Sequence, residues 1–201
     1  MNIKMGLIGI RDYIIKELTS KSLDDCYYHG TDHSLEVEQA CIDISETEDS
    51  LADKEIELLR IAALSHDIGH IQSMDNHEVL GCNFIIRVMP NFGYTEEDIE
   101  LVKSLILVTK FPHKPSSLLE NIICDADLSY IGTDMYDCQA DKLKKELVEL
   151  HEFKFNSEKA WIEYQVSFLE KHEFFTKHAR DNYNPIKKQI IEKLKKKLIL
   201  L

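Results

Sequence analysis

Glycine and proline are scarce in this chain of 201 residues, with 7 and 4 respectively. Few turn formers suit long helices joined by short connections. Paired cysteine motifs are missing: Cys26, Cys41, Cys82, Cys124 and Cys138 are odd in number, widely spread and never CxxC. That argues against a disulfide framework or a zinc knuckle, fits a reducing cytoplasmic setting, and leaves the five as small apolar core residues. No apolar run approaches the about 18 residues of a membrane span. The opening MNIKMGLIGIRDYIIKEL regains charge at Arg11 and Asp12 and has no small-residue cleavage site. Basic charge is also short, 24 Lys and Arg against 36 Asp and Glu for a formal net charge of -12. This argues against a binder of nucleic-acid polymers or anionic membranes, which needs a basic surface. A small anionic substrate stays open, because a bound divalent cation reverses the field locally.

What is present is a folded composition, 44% hydrophobic and 30% charged, of a size that one domain can hold. Apolar spacing predicts helices over residues 33–48, with Thr31 or Asp32 as N-cap, and 51–68, with Ile56, Leu59, Ala63 and Leu64 facing inward. Gly69 then lets the chain leave helical geometry. Further helices are expected over 76–89, from a Thr95 and Asp98 capping box to about Thr109, from Ser116 or Ser117 to Gly132, and over 134–151 and 157–173. Pro185 suits the first turn of a lysine-rich amphipathic last helix. With no strand alternation, repeat or linker, the expectation is an all-α single domain over 1–201. Its motif-bearing core spans about 27–131, and helices over 134–201 pack on it.

Five of the nine histidines, His29, His33, His66, His70 and His77, fall between residues 29 and 77 and sit at helix ends. His33 alone would pass for a polar residue at a helix start. The pair His66 and Asp67 is more telling, since it ends the apolar stretch IELLRIAALS. A buried carboxylate there is costly without a cationic partner. A metal satisfies it, although a buried His-Asp hydrogen bond is an alternative. Imidazole and carboxylate donors favour Mn, Fe, Co, Ni or Zn and allow Mg. In IICDADLSYIG, Asp125 and Asp127 stand on an apolar helix. Residues two apart do not share a helical face, so one of them points at the site.

His33, then His66-Asp67, then an aspartate in an apolar ADL helix, in a helical chain of this size, resembles the HD superfamily of metal-dependent phosphohydrolases. YHGTDH followed by HDIGH also resembles the YHN..H and HD..H signatures of its cyclic-nucleotide phosphodiesterase branch. The resemblance implies an HD-type helical bundle with His33, His66, Asp67 and Asp127 as metal ligands, Asp127 being the Asp of the AD pair. It further implies His29 as the acid that protonates the leaving oxygen and His70 as a catalytic neighbour of the phosphate. His77 and His113 follow the order in which members with a second metal supply extra histidines. The chain departs from the phosphodiesterase branch at Gly30, where that branch has Asn, and in lacking its large C-terminal substrate-gripping region.

The expected activity is hydrolysis of a small phosphoester, a nucleotide above all, as monoester or cyclic diester. One or two divalent ions would activate water and polarise the phosphoryl oxygen, with Asp67 able to bridge them. Lys110 and Lys114, flanking His113 in KFPHKP, are candidate phosphate contacts, with ordinary solvated lysines as the bland alternative. A self-associated chain is compatible with all of this. Three competitors stand beside it: a zincin-like protease, disfavoured by the short Asp67 and by Gly69 inside the motif; a di-iron oxygenase resembling inositol oxygenase, with His77 and His113 as extra ligands; and a nucleotide-binding regulator without turnover. Trp161, Tyr164 and Phe168, with Phe174 and Phe175, read as core packing rather than a base-stacking platform.

Overall fold

The structure, a computed structural model, describes residues 3–20, 27–73, 75–150 and 153–201. Cys26 lies outside them. Among the described residues the fold is all-helical: α1 Ile3–Ser20, α2 Thr31–Ser45, α3 Asp53–Ser65, α4 His77–Val88, α5 Glu96–Leu107, α6 Leu118–Asp127, α7 Tyr136–Leu150, α8 Glu158–Lys171 and α9 Lys177–Leu200. Short 3-10 turns, Ile68–Ile71, Met89–Phe92 and Ser129–Gly132, follow α3, α4 and α6.

Helix α1 was not read from the sequence, yet Ile10, Ile14 and Leu18, spaced four apart, form a buried stripe on it. Such spacing aligns side chains on one face. With α2 to α6 this stripe builds one apolar cluster, and a second joins α7, α8 and α9 around Trp161, Ile162, Leu169 and Phe174. Tyr183 packs against both. A buried carboxylate ties the first three helices, because Glu38 of α2 accepts from Arg11 of α1 and Arg60 of α3 at 2.8 to 3.1 Å.

The caps follow local chemistry where side chains can reach. Thr95 and Asp98 make their reciprocal box, and the Ser117 hydroxyl accepts from the Glu120 amide. Elsewhere tertiary contacts decide. Gly30, not Thr31 or Asp32, is the N-cap of α2, in extended backbone and without a side-chain cap. Pro185 stands well inside α9 rather than in its first turn. That helix starts earlier because Thr176 caps it and the Asp125 carboxylate accepts from the Phe175 and Thr176 amides at 2.7 to 3.1 Å. Of the cysteines, Cys41, Cys82 and Cys124 are buried, but Cys138 is exposed on α7 and is no core residue.

Gly69 acts by size rather than by unusual torsion angles. It is absent from the positive-φ positions among the described residues, Asn76 and Gly93. A Cβ on Gly69 would sit 1.9 Å from the His77 carbonyl oxygen, so the turn after α3 and the start of α4 meet backbone to backbone. This contact stacks the His70 and His77 rings with centroids 4.0 Å apart. Gly69→Ala should cost about 2 kcal/mol or more in urea unfolding, the upper range for overpacking. Gly6→Ala, whose new Cβ meets only ordinary contacts at 3.5 Å or beyond, should be neutral or stabilising by about 0.5–1 kcal/mol, as Gly replacement in a helix allows. Equal costs for both would remove the steric account.

Candidate metal centre

Three chain breaks converge on one point. His29 and His33 bracket the entry to α2, His66 and Asp67 follow the last turn of α3, and Asp127 closes α6. Helix ends carry polar groups into a core without interrupting a helical ladder. His66 donates Nδ1–H to the Ala63 carbonyl at 2.7 Å, which turns Nε2 toward the carboxylates. Nε2 lies 3.1 Å from Asp67 Oδ2 and 3.3 Å from Asp127 Oδ1. His33 Nε2 lies 3.2 Å from Asp127 Oδ1 and 3.6 Å from Asp67 Oδ2.

The other oxygen of Asp67 faces a second group of imidazoles. Oδ1 is 3.6 Å from His70 Nε2 and 3.5 Å from His77 Nε2, and His29 stacks on His70 with centroids 4.5 Å apart. Two sets of side chains have ligand atoms within 4.8 Å of one another and could each hold an ion: His33, His66 and Asp127, and His29, Asp67 and His70. Neither set includes His77 or His113. His113 lies 3.8 Å from Asp127 Oδ2 but donates Nε2–H to the Thr109 carbonyl at 3.0 Å. Lys110 and Lys114 are both exposed, and neither lines the adjoining cavity.

The donor set fits a divalent ion on a test independent of any pattern. His66 Nε2, Asp67 Oδ2 and both ring nitrogens of His70 are buried without a hydrogen-bond partner. Each orphaned group costs about 1–3 kcal/mol unless something satisfies it, and nitrogen with carboxylate oxygen is the donor chemistry of transition cations. The electrostatics agree. Burial opposes ionisation of Asp67, but the charges of His66 and His29 more than offset it and hold this carboxyl well below the usual range. Asp127 is likewise held low against burial, by its hydrogen bond to His33 and by the His66 imidazole 3.3 Å away. Burial pulls His70 down to about 3, so it is neutral, the form in which an imidazole ligates a metal.

The two aspartates of α6 separate cleanly. Asp127 faces the histidines, while Asp125, on the opposite side, accepts the α9 amides described above. One residue was missed altogether. Glu146 of α7, fully buried, accepts from the Tyr28 amide at 2.7 Å, from the His29 amide at 3.1 Å, and from His29 Nδ1. In KLKKELVEL nothing distinguishes it from Glu149, which instead accepts from the Tyr27 hydroxyl at 2.7 Å. Trp161 and Phe168 pack in the second apolar cluster as expected, and with Tyr164 they have a further place. All three line a cavity of about 290 Å³ into which Asp67, Asp127 and His29 open.

This geometry agrees with an independent finding: residues 30–129 match the model of the HD domain family. This is an HD-domain protein. HD domains are in general metal-dependent phosphohydrolases, and the His and Asp groups of this one are able to hold a metal. Its fold is similar to that of a crystal structure described as a predicted HD superfamily hydrolase from an uncultured Thermotogales bacterium. The two share 20% identity and a TM-score of 0.61, over 99% of this chain and 98% of that one. No curated protein matches the chain. Among the described residues, no helix of this HD protein is long and apolar enough to cross a membrane.

The pair of Glu146 and His29 carries a pH signature. Burial works against the Glu146 charge, but the His29 hydrogen bond and charge, with the Tyr28 and His29 amides, pull its carboxyl from 4.5 to about 2. A lowered carboxyl contributes stability that is fully present above its unfolded value and lost as pH falls through the folded one. The urea midpoint should therefore fall as pH drops from about 4.5 toward 2, and less steeply in Glu146→Gln, measured by circular dichroism. Parallel curves for the two proteins would show that the carboxylate contributes nothing.

Proposed function

We propose that the protein hydrolyses a small phosphoester, a nucleotide above all, with metal-activated water. The observation that carries this reading is the position of Asp67, which lines the cavity and whose two carboxylate oxygens each face a separate cluster of imidazoles. His33, His66 and Asp127 would hold one divalent ion, with Asp67 beside it. His29 and His70, together with Asp67, are placed to hold a second or to meet the phosphate. When bound, the ion lowers the pKa of water and polarises a phosphoryl oxygen.

The chain's own groups supply the rest. Glu146 engages Nδ1 of His29, so Nε2 is the nitrogen left to face the cavity. Burial disfavours the His29 cation, yet the charge of Asp67 and the Glu146 bond raise its pKa overall. A protonated imidazole at the leaving oxygen is the general acid of such a reaction, worth about 100- to 10,000-fold. The competing oxygenase reading needs His77 and His113 as further ligands, and neither belongs to the two sets whose ligand atoms converge.

Metal-stripped protein resupplied with Mn, Fe, Co, Ni, Zn or Mg should turn over one member of a panel of nucleoside monophosphates and cyclic nucleotides. Asp67→Ala should lose both bound metal and turnover, each by more than the about 10- to 100-fold that removal of an outer partner costs. Asp127→Asn should lower metal content at nearly unchanged melting temperature, whereas Asp125→Asn should keep the metal and melt earlier. Full metal content and turnover in Asp67→Ala, or turnover without any metal, would end the proposal.

A further inference from the structure

We propose that the wall built by α7, α8 and the turn after α6 is the subsite for the organic part of the substrate, and that it selects a single phosphate ester of an uncharged group bearing a flat ring. This inference rests on the phosphohydrolase reading for the phosphate end only. The wall lies beyond residue 129, outside the matched HD segment. It presents two pairs of nearly parallel rings to one cavity: Trp161 with Tyr164, centroids 5.7 Å apart at 18°, and Tyr130 with Tyr136, 6.3 Å apart at 8°. Gln165 donates to the Tyr136 hydroxyl at 2.8 Å and pins that ring. Flat, preoriented faces favour stacking of another ring, and they bind it largely without regard to its hydrogen-bonding edge.

Charge sets the second half of the selection. Asp67, Glu78 and Asp127 line the cavity, and among its described lining residues there is no lysine or arginine. Basic residues are available nearby but are turned to other work. Lys144, whose Nζ lies 5.7 Å from the centre of the Trp161 ring, is paired with Glu158 at 2.8 Å, and Lys110 and Lys114 are exposed outside the lining. A second or third phosphate would enter a space walled by aromatic rings and carboxylates to which no lysine or arginine contributes, and a poorly paired charge leaving water is costly. The cavity volume of about 290 Å³ is at the low end of the about 300–1,000 Å³ typical of small-molecule sites. It suits one ring system and one phosphate.

Trp161 is the single tryptophan of the chain, so its emission reports occupation of the wall without any turnover. Titration of the full-length protein with adenosine 5′-monophosphate, or with adenosine alone, should quench it. Ribose 5-phosphate should not, and adenosine di- and triphosphate should bind at least about ten-fold more weakly than the monophosphate. Trp161 is buried and its replacement endangers the fold, whereas Tyr164 is 42% exposed. Tyr164→Ala should therefore fold and weaken binding of the monophosphate about ten-fold, as loss of one stacking partner does, with ribose 5-phosphate unaffected. Equal binding of ribose 5-phosphate, of the triphosphate, or by Tyr164→Ala would overturn the proposal. Quenching by adenosine in a protein that hydrolyses no phosphoester would uphold the wall and remove the hydrolytic reading instead.

Discussion

A nearly buried carboxylate governs this molecule. Asp67 stands at the end of α3, nearly out of solvent, and stays ionised because imidazoles approach both of its oxygens. Burying such a charge is tolerable only with compensation from several directions. The compensation comes from the entry to α2, the end of α3, the 3-10 turn beyond it and the first residue of α4, so these elements must meet at one point. Their meeting is what the small size of Gly69 allows, since the turn and α4 touch through backbone alone.

The helices after residue 129 complete the site rather than merely covering it. Glu146 reaches from α7 to bind two backbone amides and one imidazole at the entry to α2, which sets the orientation of His29. Asp125 ties the other face of α6 to the start of α9, and the aromatic rings of α8 face the floor of the cavity. Two acids of α6, two positions apart, thus serve opposite sides of that helix. One turns toward the histidines and the other anchors the last helix.

Much of this was legible in the order of residues, and the failures have physical causes. The helices from α2 to α8 follow from apolar spacing and from hydroxyls that reach their own amides, as at Thr95 and Ser117. The start of α9 was misplaced because Pro185 is a local signal and the Asp125 contact a distant one. Helix α1 went unread although its stripe of Ile10, Ile14 and Leu18 is regular. Cys138 was assigned to the core by type, but a helix face, not residue type, decides exposure. Trp161, Tyr164 and Phe168 were assigned to packing by spacing, and spacing is the same for a ring that fills a core and one that lines a cavity.

By itself the sequence determined the helical class and singled out histidines and aspartates as candidates for one site, because periodicity and the pairing of histidine with aspartate at helix ends are local properties of the chain. Only the tertiary structure decided which aspartate of α6 faces the histidines, that Asp67 divides its two oxygens between two clusters, and that Glu146 holds His29 across 117 positions of sequence. Those choices depend on distances between side chains that no local rule relates, since they are set by how the helices pack.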